Sequence, residues 1–194
     1  MAALIDMITQ HLGGDALKQL SQQLGTDEGT ASTAVSAALP AIVGALARNS
    51  SSPEGASALD QAIAKDHDGG ILDNLTGAIA NPRLDVGSGI LKHVFGAKQG
   101  DVAAGVGQVA GLDSAKSGKL LAMLAPVVLA ALARKRQSDG LDAGGLAGML
   151  GQERAGLGSA AGVGLGSLLQ MIDRNQDGSV VDDVGGMLGG MFKR

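Results

Sequence analysis

The strongest constraint on this chain is a long apolar stretch that occurs twice. Ala125-Pro-Val-Val-Leu-Ala-Ala-Leu-Ala-Arg134 is echoed by Leu39-Pro-Ala-Ile-Val-Gly-Ala-Leu-Ala-Arg48. Each carries proline at its second position and ends in Ala-Leu-Ala-Arg. Proline inside an apolar helix removes one backbone hydrogen bond and favours a bend. Two such segments predict paired, Pro-kinked core helices.

The echo extends well beyond these ten residues. Adding 86 to the numbers 4–49 aligns them with 90–135 without a gap. Gly14, Asp15, Gln22, Gly25, Asp27, Pro40 and Ala45-Leu-Ala-Arg48 then meet identical residues. Most of these are caps, breakers and core positions, which determine where helices start and stop. After the proline helix the offset becomes 109, so the second half holds 23 additional residues within 137–166. That insert is rich in Gly and Ala and reads as a flexible or loosely helical connector, or as a close-packing segment. The expected fold is all-α and multihelical, with two tandem structural repeats. The first covers 1–84 and the second 87–194, with the insert at about 137–166.

Local signals agree with helices. Leu4, Ile5, Ile8 and Leu12 have helical spacing and stop at Gly13-Gly14. Asp15 is expected to cap a helix that turns Leu17, Leu20 and Leu24 inward and ends at Gly25. Asp27 is expected to cap the long helix through Arg48. After the linker Asn49–Pro53, a helix with Leu59 and Ile63 inward leads to the turn Asp66–Gly70, a short helix to Ile79, and Pro82. Aromatic residues are limited to Phe95 and Phe192, so the core must be aliphatic.

Several classes of chemistry are disfavoured. The chain has no cysteine, which removes disulfides, thiolate catalysis and Cys-based metal centres. This is compatible with the cytoplasm, the expected location. The N-terminus has no basic region before its apolar residues and carries Asp6, so it does not read as a signal peptide. The apolar run Leu120–Ala133 is shorter than the ~20 residues of a typical membrane span, contains Pro126 and is followed by Arg134-Lys135-Arg136. It is expected to be a buried core helix rather than a transmembrane segment. The three cations suit a helix C-terminus, where they interact favourably with the dipole. His11, His67 and His93 are scattered without a second ligand at helical spacing, and no P-loop is present.

Gly87-Ser-Gly-Ile-Leu-Lys-His-Val-Phe-Gly96, Gly111-Leu-Asp113, the Pro-containing Ala-Leu-Ala helix, and the later Asp-Gly-Ser and Asp-Asp together resemble the bacterial DUF937, or YidB-like, family. The resemblance covers nearly the whole chain. It implies an all-helical fold and supplies no catalytic signature.

One loop has the pattern of a cation site. Asp173, Asn175 and Asp177 stand at positions one, three and five of an EF-hand-like loop. Gly178 permits the turn, and Ser179 offers a carbonyl at position seven. Val184 stands where a bidentate Glu is expected, leaving Asp182 and Asp183 as replacement carboxylates. Calcium is the ion this pattern suits. The same residues form a helix-capping turn in the alternative reading, since Ser179-Val-Val-Asp182 is a capping box. The first-half counterpart retains Asp66, Asp68 and Asp73 but has Ala64 at position one.

Leu20–Ser32 and its copy near Val106–Ser117 resemble a helix-turn-helix, making a DNA-binding protein the alternative. Between Glu28 and Ala47 there is no Lys or Arg, and the second copy offers only Lys116 and Lys119. With a net charge of −4, this pattern argues against nucleic acid. The expectation is a non-enzymatic scaffold or interaction protein. Self-association is expected through Val184, Met187, Leu188, Met191 and Phe192.

Overall fold

The structure is a computed structural model that describes residues 3–66 and 70–160. Among the described residues every regular element is helical. In order they are α1 (Ala3–His11), α2 (Asp15–Leu24), α3 (Glu28–Asn49) and α4 (Pro53–Asp66). A 3-10 turn (Gly70–Asn74) precedes α5 (Leu75–Ala80). There follow α6 (Leu84–Phe95), a 3-10 turn (Gly96–Lys98), α7 (Gln99–Ala110), α8 (Ser114–Asp139) and α9 (Ala143–Ala160). The described residues up to Ala155 belong to one compact unit.

The matched sequence positions carry matched local geometry. Asp27 accepts from the Thr30 amide at 2.8 Å, and Asp113 accepts from the Lys116 amide at 2.8 Å. Each thereby satisfies one of the N–H groups that a helix start leaves without an internal partner. Gly25 and Gly111 close α2 and α7 with φ of 61° and 69°, a left-handed conformation that favours glycine. Pro40 and Pro126 both lie inside continuous helices.

The start of α2 differs from expectation. Gly14 occupies the cap position without a side-chain bond, and Asp15 is the first helical residue. There its charge still suits the positive end of the helix. Leu20 and Leu24 are buried, whereas Leu17 is half-buried. In α4, Ile63 is buried and Leu59 half-buried, and both the Leu59 side and the short α5 border an open cleft.

α8 is the central element. Every residue from Leu120 to Ala133 is buried, surrounded by α1, α3, α4, α6 and α7. α3 and α8 are each long and apolar enough by composition to cross a membrane, but 61% and 72% of their apolar windows are buried within the protein. Burial from several sides explains why their sequences show little polar–apolar alternation.

The Gly/Ala-rich insert is more ordered than a flexible connector. Its residues 143–160 form α9, capped by Asp142, whose carboxylate accepts from the Gly145 amide at 2.8 Å. Leu146 and Leu150 are fully buried. The insert therefore contributes to the core through two leucines one turn apart.

Candidate functional site

The loop Asp173, Asn175, Asp177, Ser179, Asp182 and Asp183 lies outside the described residues, as do Val184, Met187, Leu188, Met191 and Phe192. Of its first-half counterpart, Asp66 ends α4 and Asp68 lies outside the described residues. Asp73 pairs with Arg134 at 2.5 Å. Among the described residues no three acidic or histidine side chains gather as a metal-ligating group.

The basic run at the end of α8 acts through specific partners as well as through the helix dipole. Arg134 reaches Asp73 beyond α4, and Arg136 Nε reaches Asp60 of α4 at 2.5 Å. Lys135 pairs with Asp139 one turn onward at 2.7 Å. The Lys135 contact, followed by the Ser138 hydroxyl, lowers the Asp139 pKa below its ordinary value. Two of these three cations thus tie the second long helix to the first half of the chain.

The helix-turn-helix-like segments form a structural corner. Lys116 Nζ donates to the Gly25 carbonyl at 3.0 Å, and Lys119 Nζ donates to the Gln23 carbonyl at 2.6 Å. These lysines of α8 therefore satisfy carbonyls at the C-terminal end of α2, which a helix leaves without internal donors. Gln23 in turn donates its amide to the Ala80 carbonyl at 2.9 Å, linking α2 to α5. The same two cations were the ones available for phosphate contacts in the second helix-turn-helix copy.

The histidines are also engaged locally. His11 Nδ1 lies 2.8 Å from the Met7 carbonyl oxygen, and His93 Nδ1 lies 3.0 Å from that of Gly89. Both contacts span one turn of their own helix. His67 lies outside the described residues.

A cleft of about 1060 Å³ lies where α4, α5, α6 and α8 meet the end of α3. Its apolar wall includes Leu59 and Ile79 from the first half and Ile90, Met123 and Val127 from the second. Its polar lining comes from Asn49, Asn81, Arg83 and His93. Asn49 is held in place, its amide donating to the Val94 carbonyl at 3.0 Å. The helices carrying Leu59 and Ile79 were legible in the sequence. Their convergence was not, because it depends on how four separate helices are angled.

A second feature invisible to pattern is Glu153 of α9, which is only 5% exposed. Its Oε1 accepts from the Leu4 amide at 3.0 Å, while Oε2 has no hydrogen-bond partner. A carboxylate at this place complements the positive end of α1. Its chain neighbours are Gln152 and Arg154, so no local motif marks it.

Among known proteins, a family model described as "Bacterial protein of unknown function (DUF937)" matches residues 6–135. No curated protein and no solved structure matches the chain.

Proposed function

We propose that this chain, which belongs to the bacterial DUF937 family, is a non-enzymatic helical scaffold or interaction protein. It associates with copies of itself and takes calcium at the loop around Asp173. The observation that carries this reading is the use of polar groups throughout the described fold. Lys116 and Lys119 close helix ends, Arg134 and Arg136 join α8 to the first half, and His11 and His93 contact carbonyls of their own helices. These groups serve assembly of the fold, whereas general acid–base or nucleophilic catalysis calls for groups converging on a reactive point.

Self-association rests on the apolar residues Val184, Met187, Leu188, Met191 and Phe192. Their flexible methionines suit an adaptable contact surface. The calcium assignment rests on oxygen-bearing residues at alternate positions of the Asp173 loop, followed by Gly178. A DNA-binding role is less well supported, because Lys116 and Lys119 are used within the helical corner.

Light scattering of the full chain with calcium and with chelator tests association. A mass above that of the 194-residue chain supports the reading, and a monomer in both conditions overturns it. Calorimetric titration tests the loop separately. Calcium heat that disappears in the Asp173→Ala/Asp177→Ala variant supports a site there; no heat, or equal heat from the variant, removes it.

A further inference from the structure

The cleft has the shape and chemistry of a ligand site. Its volume of about 1060 Å³ is just above the usual range for small-molecule sites, about 300–1,000 Å³. A three-turn peptide helix, about 16 Å long and about 10 Å wide, would displace more than this volume. The cleft is thus scaled to a small molecule.

The wall specifies the kind of molecule. Half-buried Leu59, Ile71, Val86 and Ile90 present branched aliphatic surface above the buried Ile79, Met123 and Val127, and no Phe, Tyr or Trp side chain lines the cleft. A flat aromatic ligand would find only the His93 imidazole to stack on, whereas a saturated chain gains from burial in proportion to its length.

Charge specifies the other end. The protein carries a net charge of −4, yet no Asp or Glu lines the cleft. Arg83 does line it, at the turn between α5 and α6. Unlike Arg134 and Arg136, Arg83 has no acidic partner among the described residues. A guanidinium beside an apolar cavity matches a carboxylate attached to a long aliphatic tail. The ring of His93, whose Nδ1 is taken up by the Gly89 carbonyl, adds a polar edge to the same cleft.

We propose that this cleft is a binding site for a free long-chain fatty carboxylate, with the tail among the aliphatic side chains and the head group on Arg83. This goes beyond the scaffold reading and does not depend on it.

The test is calorimetric titration of the full chain with myristate, below its aggregation concentration, with tetradecyltrimethylammonium as a tail-matched cation. Arg83→Glu alters the head-group contact. Gly89→Trp fills the cleft from α6, where a side chain would meet open space. Circular dichroism checks that both variants fold. The expected result is saturable myristate binding that weakens about tenfold or more in Arg83→Glu. That variant should bind the cationic amphiphile at least as well, and Gly89→Trp should lose both ligands. No saturable myristate binding, unchanged affinity in Arg83→Glu, or unchanged binding in a folded Gly89→Trp would each overturn the assignment. So would binding only to anionic phospholipid vesicles, because that identifies a membrane surface instead of a free carboxylate.

Discussion

Gly87 of α6 lies directly against the carbonyl oxygen of Ala122 in α8, so closely that a β-carbon at Gly87 would overlap it. Ala122 is four residues before Pro126, the position whose missing N–H would otherwise have served that carbonyl. The Cα–H of glycine therefore approaches an acceptor that the helix itself cannot satisfy, a weak C–H···O contact. Ser36, four residues before Pro40 in the first half, is instead exposed. Equivalent prolines thus leave their carbonyls in different surroundings.

Gly87→Ala should destabilise the protein by about 1–3 kcal/mol, because its methyl group must displace α6 from α8. Gly89→Ala provides the control two residues along the same helix, where an added β-carbon meets nothing within 4 Å. It should be neutral or stabilising by up to about 1 kcal/mol through helix propensity. Urea denaturation of both variants checks this opposite pair of effects.

The Asp27 cap predicts an acid-side dependence of stability. The Thr30 amide, followed by its hydroxyl, holds the Asp27 carboxyl below the ordinary value of 3.8. A depressed folded-state pKa means that its contribution is present above the unfolded value and disappears as pH falls through the folded one. Asp27→Asn retains a capping oxygen without this titration. Its urea midpoint should decline less than that of the wild type below pH 3.8, when the two are compared by denaturation across pH.

The two arginine links should differ in strength. Arg136 and Asp60 are 30% and 23% exposed, whereas Arg134 and Asp73 are 39% and 70% exposed. A double-mutant cycle to alanine should give about 1 kcal/mol for Arg136–Asp60 and no more than about 0.3 kcal/mol for Arg134–Asp73. Equal coupling energies would show that burial does not rank these pairs.

Glu153→Ala should cost about 1–3 kcal/mol by leaving the buried Leu4 amide without its acceptor. Hydrogen exchange at Leu4 should accelerate along with the loss of stability. Glu153→Gln keeps one carbonyl acceptor for that amide and should retain more of its protection. Amide exchange measured by NMR distinguishes these variants.

The helix ends were the most legible part of this fold because their chemistry is local. Asp27 and Asp113 satisfy amides three residues later, and Gly25 and Gly111 permit left-handed closure of the preceding helices. Asp15 had the right residue type for a cap but one residue too late, since Gly14 makes the turn into α2. The Gly/Ala-rich insert concealed α9 because its fully buried leucines are only two, Leu146 and Leu150, in a segment otherwise rich in Gly and Ala. The cation loop was equally visible in sequence and lies beyond the described residues.

The chain order alone determines an aliphatic, helical protein with two Pro-containing core segments and repeated stop signals, because propensity, capping and spacing act over a few residues. Tertiary structure decides the long-range pairings: Lys119 closes α2, Arg136 reaches α4, and Glu153 meets the start of α1. It also brings Arg83 beside aliphatic surfaces from both halves of the chain. These relationships depend on distances between helices, and sequence spacing within any one helix does not encode them.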